Sequence, residues 1–116
     1  MAVYMALVPP NGRLMGLLLA DGGHLTHGHR VKDSRVSASS KFYQSLPYIV
    51  NKKTQLIDYK ELAHNSMLYN PHIIVAGASA YPRHYDYKQL REIADNCGAY
   101  LLADMAHIAG LVSAGI

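Results

Sequence analysis

The sequence predicts an α/β domain, a mostly parallel sheet with flanking helices, and three observations carry that prediction. "HIIVAGAS" (72–79) and "AYLLADMAH" (99–107) are apolar runs without the polar alternation of a half-exposed strand. Between them, "YDYKQLREIADNCG" (85–98) has helical periodicity with its own start and stop signals. Strand, helix, strand with links this short is a βαβ unit, which implies a parallel pair joined by a right-handed crossover.

Each element has a local reason. "MAVYMAL" (1–7) reads as helix that must stop before Pro9 and Pro10. "RLMGLLLA" (13–20) reads as a buried strand, followed by the turn "DGG" and the polar "HLTHGH". "KFYQSLPYIV" (41–50) reads as a second extended segment, in which Pro47 argues for an edge or a bend. "IDYKELAHNSMLYNP" (57–71) is a helix: Asp58 stands three residues before Glu61 as in a capping box, and Asn70-Pro71 ends it. In the helix after the strand at 72–79, Asp86 is the expected N-cap. Tyr87, Leu90, Ile93, Ala94 and Cys97 share one face, and Gly98 is the stop. The strand "AYLLADMAH" is expected to be buried.

Composition narrows the function classes. At 116 residues and 50% hydrophobic, the chain has the size and apolar content of one domain. Its net charge of +3 comes from basic residues that are scattered rather than gathered in a phosphate-tracking stripe, so no nucleic-acid partner is expected. The single Cys97 excludes an intrachain disulfide and a cysteine-only zinc site. The N-terminus has neither the charged start of a signal peptide nor the Arg- and Ser-rich pattern of a transit peptide. Asp104 inside the apolar stretch 98–116 would cost about 3 kcal/mol in a bilayer, so no membrane partner is expected either.

The predicted topology fixes where chemistry can sit, because open α/β sheets bind ligands outside the carboxyl ends of their strands. Three strand ends carry polar residues: Gly22, Gly23 and His24 after the first strand, Ser79 after "HIIVAGAS", and Asp104 and His107 after "AYLLA". A carboxylate at the end of an apolar strand needs a cation or hydrogen-bond donors. Asp104 and His107 read equally as a turn cap beside a satisfied core histidine. His24, His27 and His29 match no strong zinc spacing, so no metal site is expected. A Ser79–His107–Asp104 triad would lack the nucleophile-elbow pattern, since the stretch is "GASAY".

"GGHLTHG" (22–28), "GASAY" (77–81) and "GAYLLADMAHIAGLVSAG" (98–115), in this order and spacing, resemble the serine hydroxymethyltransferase family, fold-type I enzymes dependent on pyridoxal 5'-phosphate (PLP). The resemblance runs along nearly the whole chain. It implies that residues 1–116 are an internal part of the PLP-binding large domain, without its N-terminal part, its C-terminal domain and the segment bearing the Schiff-base lysine. The family reaction interconverts serine and glycine, with a one-carbon unit passed to tetrahydrofolate as co-substrate.

The resemblance also implies roles. Asp104 would pair with the protonated pyridine nitrogen of PLP, keeping the ring positive. His107 and Ser79 would stand near the phenolic oxygen of the cofactor, and His24 would stack on the ring, which makes His24, Asp104 and His107 the catalytic candidates. Leu19, Gly23, His24 and Leu25 would border the folate site. Thr26, His27 and Gly28 shape the same loop, and His27 reads equally as a buried histidine satisfied by its neighbours. The chain departs from the family at Leu18, a position usually polar or acidic, and at Pro82, usually Ser, and none of its lysines follows a His. A homo-oligomer in the cytoplasm or mitochondria is implied, and the isolated segment is expected to be inactive. Two alternatives stand beside this reading: a non-catalytic remnant or interaction protein, and another fold-type I PLP enzyme, which would leave "GGHLTHG" unexplained.

Overall fold

In the computed structural model, which describes residues 1–116, the chain opens with helix α1 (Ala2–Leu7), released at extended Val8 before the two prolines. Strand β1 (Arg13–Met15) follows, and after a looped segment the hairpin β2 (Arg30–Val31) and β3 (Ser34–Arg35). A short helix α2 (Ala38–Phe42) leads into β4 (Gln44–Ser45). Helix α3 (Tyr59–Tyr69), strand β5 (Ile73–Ala76), helix α4 (Tyr87–Cys97), strand β6 (Tyr100–Ala103) and helix α5 (Ala109–Ser113) complete it. Strands β4, β1, β5 and β6 form, in that order, one wholly parallel sheet, and β5–α4–β6 is the expected βαβ unit, with Ile73 opposite Tyr100 and Ala76 opposite Ala103.

The helix signals work as their chemistry requires. The Asp58 carboxylate accepts from the Glu61 amide at 3.0 Å, and Asn70 ends α3 in the left-handed region at φ 52°. Only half of the capping box forms, because the Asp58 amide is already donated to the Ile49 carbonyl. In α4 the Asp86 carboxylate accepts from both the backbone and the side-chain amide of Gln89, and beyond Gly98 the Ala99 amide donates back to Ala94. Each cap is worth about 1 kcal/mol. The α3 and α4 N-termini are joined by the Asp86 amide, which donates to the Tyr59 hydroxyl at 2.7 Å.

Both faces of the inner strands β1 and β5 are covered. The residues of β5 are all buried, and alternation divides them: Ile74 and Ala76 join Met15, Leu62, Leu90 and Ala94 beneath α3 and α4, while Ile73 and Val75 join Leu14, Tyr4 and Tyr43 beneath α1. Tyr48 lies in the first cluster and satisfies its hydroxyl by donating to the Val75 carbonyl at 2.7 Å.

Four expectations need correction. The strand predicted over 13–20 ends at Met15, because the chain then turns away and returns to the sheet only at a bridge between Leu17 and Tyr48. The extended segment predicted from Lys41 starts at Gln44, because Ser37 accepts from the Ser40 amide and caps α2; β4 is an edge strand, and Pro47 lies just beyond it. Of the predicted α4 face, Leu90, Ile93 and Ala94 are buried, Cys97 is half-buried, and Tyr87 is exposed against Tyr85. Strand β6 is not buried: only β5 flanks it, and its residues run exposed, intermediate, intermediate, exposed.

Candidate functional site

Parallel pairing brings the carboxyl ends of β1, β5 and β6 to one edge of the sheet, and the loops that follow them are fastened together through backbone. Gly22, left-handed at φ 106°, presents its carbonyl to the amides of Ser79 and Ala80 at 2.9 and 3.0 Å. A Cβ at Gly22 would stand 2.6 Å from the Ala80 carbonyl carbon, so only glycine permits this approach. The loop after β1 is also tied to the segment between β4 and α3, the Asp21 carboxylate accepting from the Val50 amide at 2.9 Å. The Asp104 amide extends the β5–β6 ladder by donating to Ala76, which sets the Asp104 side chain beside Gly77.

A cleft of about 90 Å³ at this edge is lined by His24, Thr26, His27, Ala78, Ser79, Asp104, Ala106 and His107. Residues from three strand ends, eighty positions apart, do converge. Asp104 Oδ2 lies 2.8 Å from His27 Nε2, and Oδ1 accepts from the Ala106 amide at 3.4 Å. The intrachain partner of the carboxylate is therefore His27, not His107. The hydrogen bond from His27 holds the Asp104 carboxyl below its usual range, and the short separation is that of a charge-assisted bond. Burial pushes the His27 pKa down, against the pull of Asp104. Tyr4 in α1 is pushed up to about 12 by its own burial and by the negative charge of Asp104.

His24 is exposed, and its ring is oriented from behind: Nδ1 accepts from the Thr26 amide at 3.2 Å and lies 2.7 Å from the Thr26 hydroxyl. That leaves its outer face open to the cleft mouth, with the His27 ring 5.7 Å away and tilted. Ser79 and His107 are exposed, and no protein hydrogen bond engages their side chains, so no triad forms among Ser79, His107 and Asp104. Among the folate candidates, Gly23 is buried, Leu25 is exposed, and Leu19, in a 3-10 turn (Leu19–Asp21), is half-buried beside a separate cavity of about 40 Å³. No group of three or more His, Cys, Asp or Glu is placed to hold a metal ion.

A larger cavity of about 320 Å³ shares Asp104 and His107 with the cleft and extends between the loop after β5 and α5, walled by Tyr81, Tyr85, Tyr87, Leu111 and Val112. Sequence reasoning had not found this wall, nor the His27–Asp104 pair. The three tyrosines were visible close together in "YPRHYDY" (81–87), but the edge contact of Tyr81 on Tyr85 and the stacking of Tyr85 on Tyr87 depend on the path of the loop.

Fold and site together define a parallel α/β domain of the kind that works at the carboxyl edge of its sheet, around an ionised carboxylate flanked by imidazoles and hydroxyls. A family model described as Serine hydroxymethyltransferase matches residues 1–116 in full. The chain belongs to the serine hydroxymethyltransferase family. It is 58% identical over 114 residues to the cytosolic serine hydroxymethyltransferase of Candida glabrata, covering 98% of this chain and 24% of that protein. It is 58% identical over 115 residues to the enzyme of Caenorhabditis elegans (99% and 23%) and 56% identical over 115 residues to the cytosolic enzyme of Oryctolagus cuniculus (99% and 24%). The chain thus spans about a quarter of the length of the curated relatives it matches.

Proposed function

We propose that this chain forms one wall of the PLP and tetrahydrofolate site of a serine hydroxymethyltransferase, an enzyme that interconverts serine and glycine. The observation that carries the proposal is the ionised Asp104 carboxylate, more than a third exposed at its side chain, facing a cleft bordered by an open imidazole face and unengaged hydroxyl and imidazole groups. This donor and acceptor set fits a pyridoxal ring: a carboxylate for the protonated ring nitrogen, Ser79 and His107 for the phenolic oxygen, and His24 for the ring face. When bound, PLP supplies an electron sink for a substrate carbanion. Asp104 holds a proton at the pyridine nitrogen, since an opposite charge within ~4–6 Å favours the charged form. His24 orients, its own ring fixed by Thr26. Leu19, Gly23, His24 and Leu25 border the folate side, where backbone groups of the loop can approach.

No lysine or arginine lines the small cleft, and no lysine lines the larger cavity. The larger cavity carries one such cation, Arg83, but neither lining supplies a lysine for the covalent anchor, and the isolated segment is inactive on this reading. Borohydride reduction of the chain mixed with PLP, followed by peptide mapping, should label no single lysine stoichiometrically. The relatives from Candida glabrata and Oryctolagus cuniculus are named as cytosolic, which favours that compartment, and no helix here is long and apolar enough to cross a membrane.

The test is a transplant. Residues 1–116 replace the matching stretch of the Candida glabrata relative, and serine turnover is measured at saturating PLP. Turnover should be retained with the native segment and fall by roughly two orders of magnitude in Asp104→Asn, with KM little changed, because the lost contact acts on developing charge rather than on binding. Near-normal turnover in Asp104→Asn would reduce the carboxylate to a structural cap and remove the main support for the reading.

A further inference from the structure

The Asp104 carboxylate is anchored from one side only. His27 Nε2 grips Oδ2 at 2.8 Å, whereas Oδ1 has only the long bond from the Ala106 amide at 3.4 Å, beyond the range of a strong hydrogen bond. The side chain of His27 is 2% exposed and that of Asp104 37% exposed, so the pair is sealed at its imidazole end and open at its carboxylate end. At the sealed end, His27 Nδ1 is buried and without a partner. A proton on Nδ1 would leave a buried donor with no acceptor, whereas a lone pair there costs less. The economical state has the single proton on Nε2, pointing at the carboxylate.

We propose that His27 is the positioning residue of this site, a buried neutral imidazole whose Nε2–H holds Oδ2 of Asp104 and so turns Oδ1 toward the cleft to accept from a cationic heterocycle nitrogen. The choice of a pyridine nitrogen as that group rests on the reading of Asp104 given above; the coupling of His27 to Asp104 does not. The downward displacement of both groups agrees with the arrangement: burial disfavours a second proton on His27, and the Nε2–H bond favours the ionised carboxylate. The other titratable and charged groups near the pair are His24 and Thr26's turn on one side, His107 after β6, Tyr4 from α1, and His29 and Arg30 around the small cavity that His27 also lines.

The experiment has two arms on the chain as it stands. In the first, ring 15N shifts of His27 and the side-chain carboxyl 13C shift of Asp104 are followed against pH without cofactor, in the native chain, His27→Gln and His27→Leu. The native His27 should carry its proton on Nε2. The Asp104 midpoint should rise toward the ordinary carboxylate value in His27→Leu and be largely restored in His27→Gln, whose amide reaches the same place. A purely packing role would leave the Asp104 midpoint unmoved in both variants, and that result, or a native His27 protonated on Nδ1, overturns the proposal. Should His27→Leu fail to fold, the native tautomer and the Gln variant still decide. In the second arm, 3-hydroxypyridine binding is monitored at the Asp104 carboxyl signal. Binding about tenfold weaker in His27→Leu than in His27→Gln is expected for the loss of a hydrogen bond to a charged group. If the first arm succeeds and the native chain binds no pyridine at Asp104, the cofactor reading of the carboxylate fails while the His27–Asp104 coupling stands.

Discussion

Strands β5 and β6 are adjacent, parallel, in register and both four residues long, yet they live in different surroundings. Every residue of β5 is buried, whereas Tyr100 at the start of β6 is 56% exposed. Their sequences, IIVA and YLLA, are nearly equally apolar. What separates them is the number of neighbours: β5 has a strand on each side and clusters on both faces, whereas β6 has one strand and partial cover. Apolar content thus states that a strand can be buried, and topology decides whether it is. The candidate site hangs from the less protected strand, since Asp104 follows β6 directly, and the sealed pair with His27 compensates by tying that end back to the loop after β1.

The contrast can be pressed hardest by truncation. Ile74→Ala, at a fully buried position in β5, should lower stability by about 2–5 kcal/mol, while Leu102→Ala in β6 should cost clearly less because its site is already part open. Urea unfolding of both variants checks this, and equal losses would mean that β6 is covered in solution. A smaller effect is expected at the seam. In Gly77→Ala the new Cβ would stand 2.5 Å from the Asp104 carbonyl oxygen and 2.7 Å from its Cβ, so the end of β6 must shift. A loss of about 1–3 kcal/mol is expected, together with a rise of the Asp104 carboxyl midpoint as it leaves His27, both readable by NMR and denaturant titration.

Acid should act more gently, and with a definite sign. Both His27 and Asp104 have pKa values lowered by folding, so the unfolded chain binds more protons and stability falls as pH falls. The His27 contribution should begin to be lost near the unfolded histidine value of ~6.5, and the Asp104 contribution below the ordinary carboxylate value of ~3.9. His27→Gln should flatten the upper limb and leave the lower; midpoint temperatures against pH measure it, and an unchanged upper limb would show that His27 is not the group titrating. The smallest effect on stability is expected at the open edge: Tyr100→Lys should change it by less than about 0.5 kcal/mol while reducing concentration-dependent association, because a lysine blunts an unpaired strand edge. Sedimentation before and after would show it, and undiminished association would place the contact elsewhere, on the exposed Leu111 and Val112 of α5.

The same contrast explains what the sequence could say. Asp58, Asp86, Asn70 and Gly98 announced α3 and α4 to within a residue, because caps and stops are local chemistry. The βαβ unit and the convergence of His24, Ser79, Asp104 and His107 at one edge followed from short links and parallel direction. Three features were out of reach. The length of β1 depends on Tyr48 returning to Leu17, the exposure of β6 on its place at the end of the sheet, and the partner of Asp104 on strand order, which sets the loop after β1 across β5 from the end of β6. That a carboxylate there needed a donor was legible; that His27 would be the donor was not.

The pair of hydrogen bonds that one carbonyl, that of Gly22, accepts from the amides of residues 79 and 80 has a further meaning. The loops after β1 and β5, which carry His24 and Ser79, are clasped at this point by backbone alone, and the one strict demand falls on residue 22. At this joint, unlike the one between His27 and Asp104, assembly and chemistry are written in separate alphabets. Side chains at 79 and 80 can be exchanged to suit another ligand without loosening the joint between the loops, and a library randomised at these two positions should keep its fold while varying what it binds.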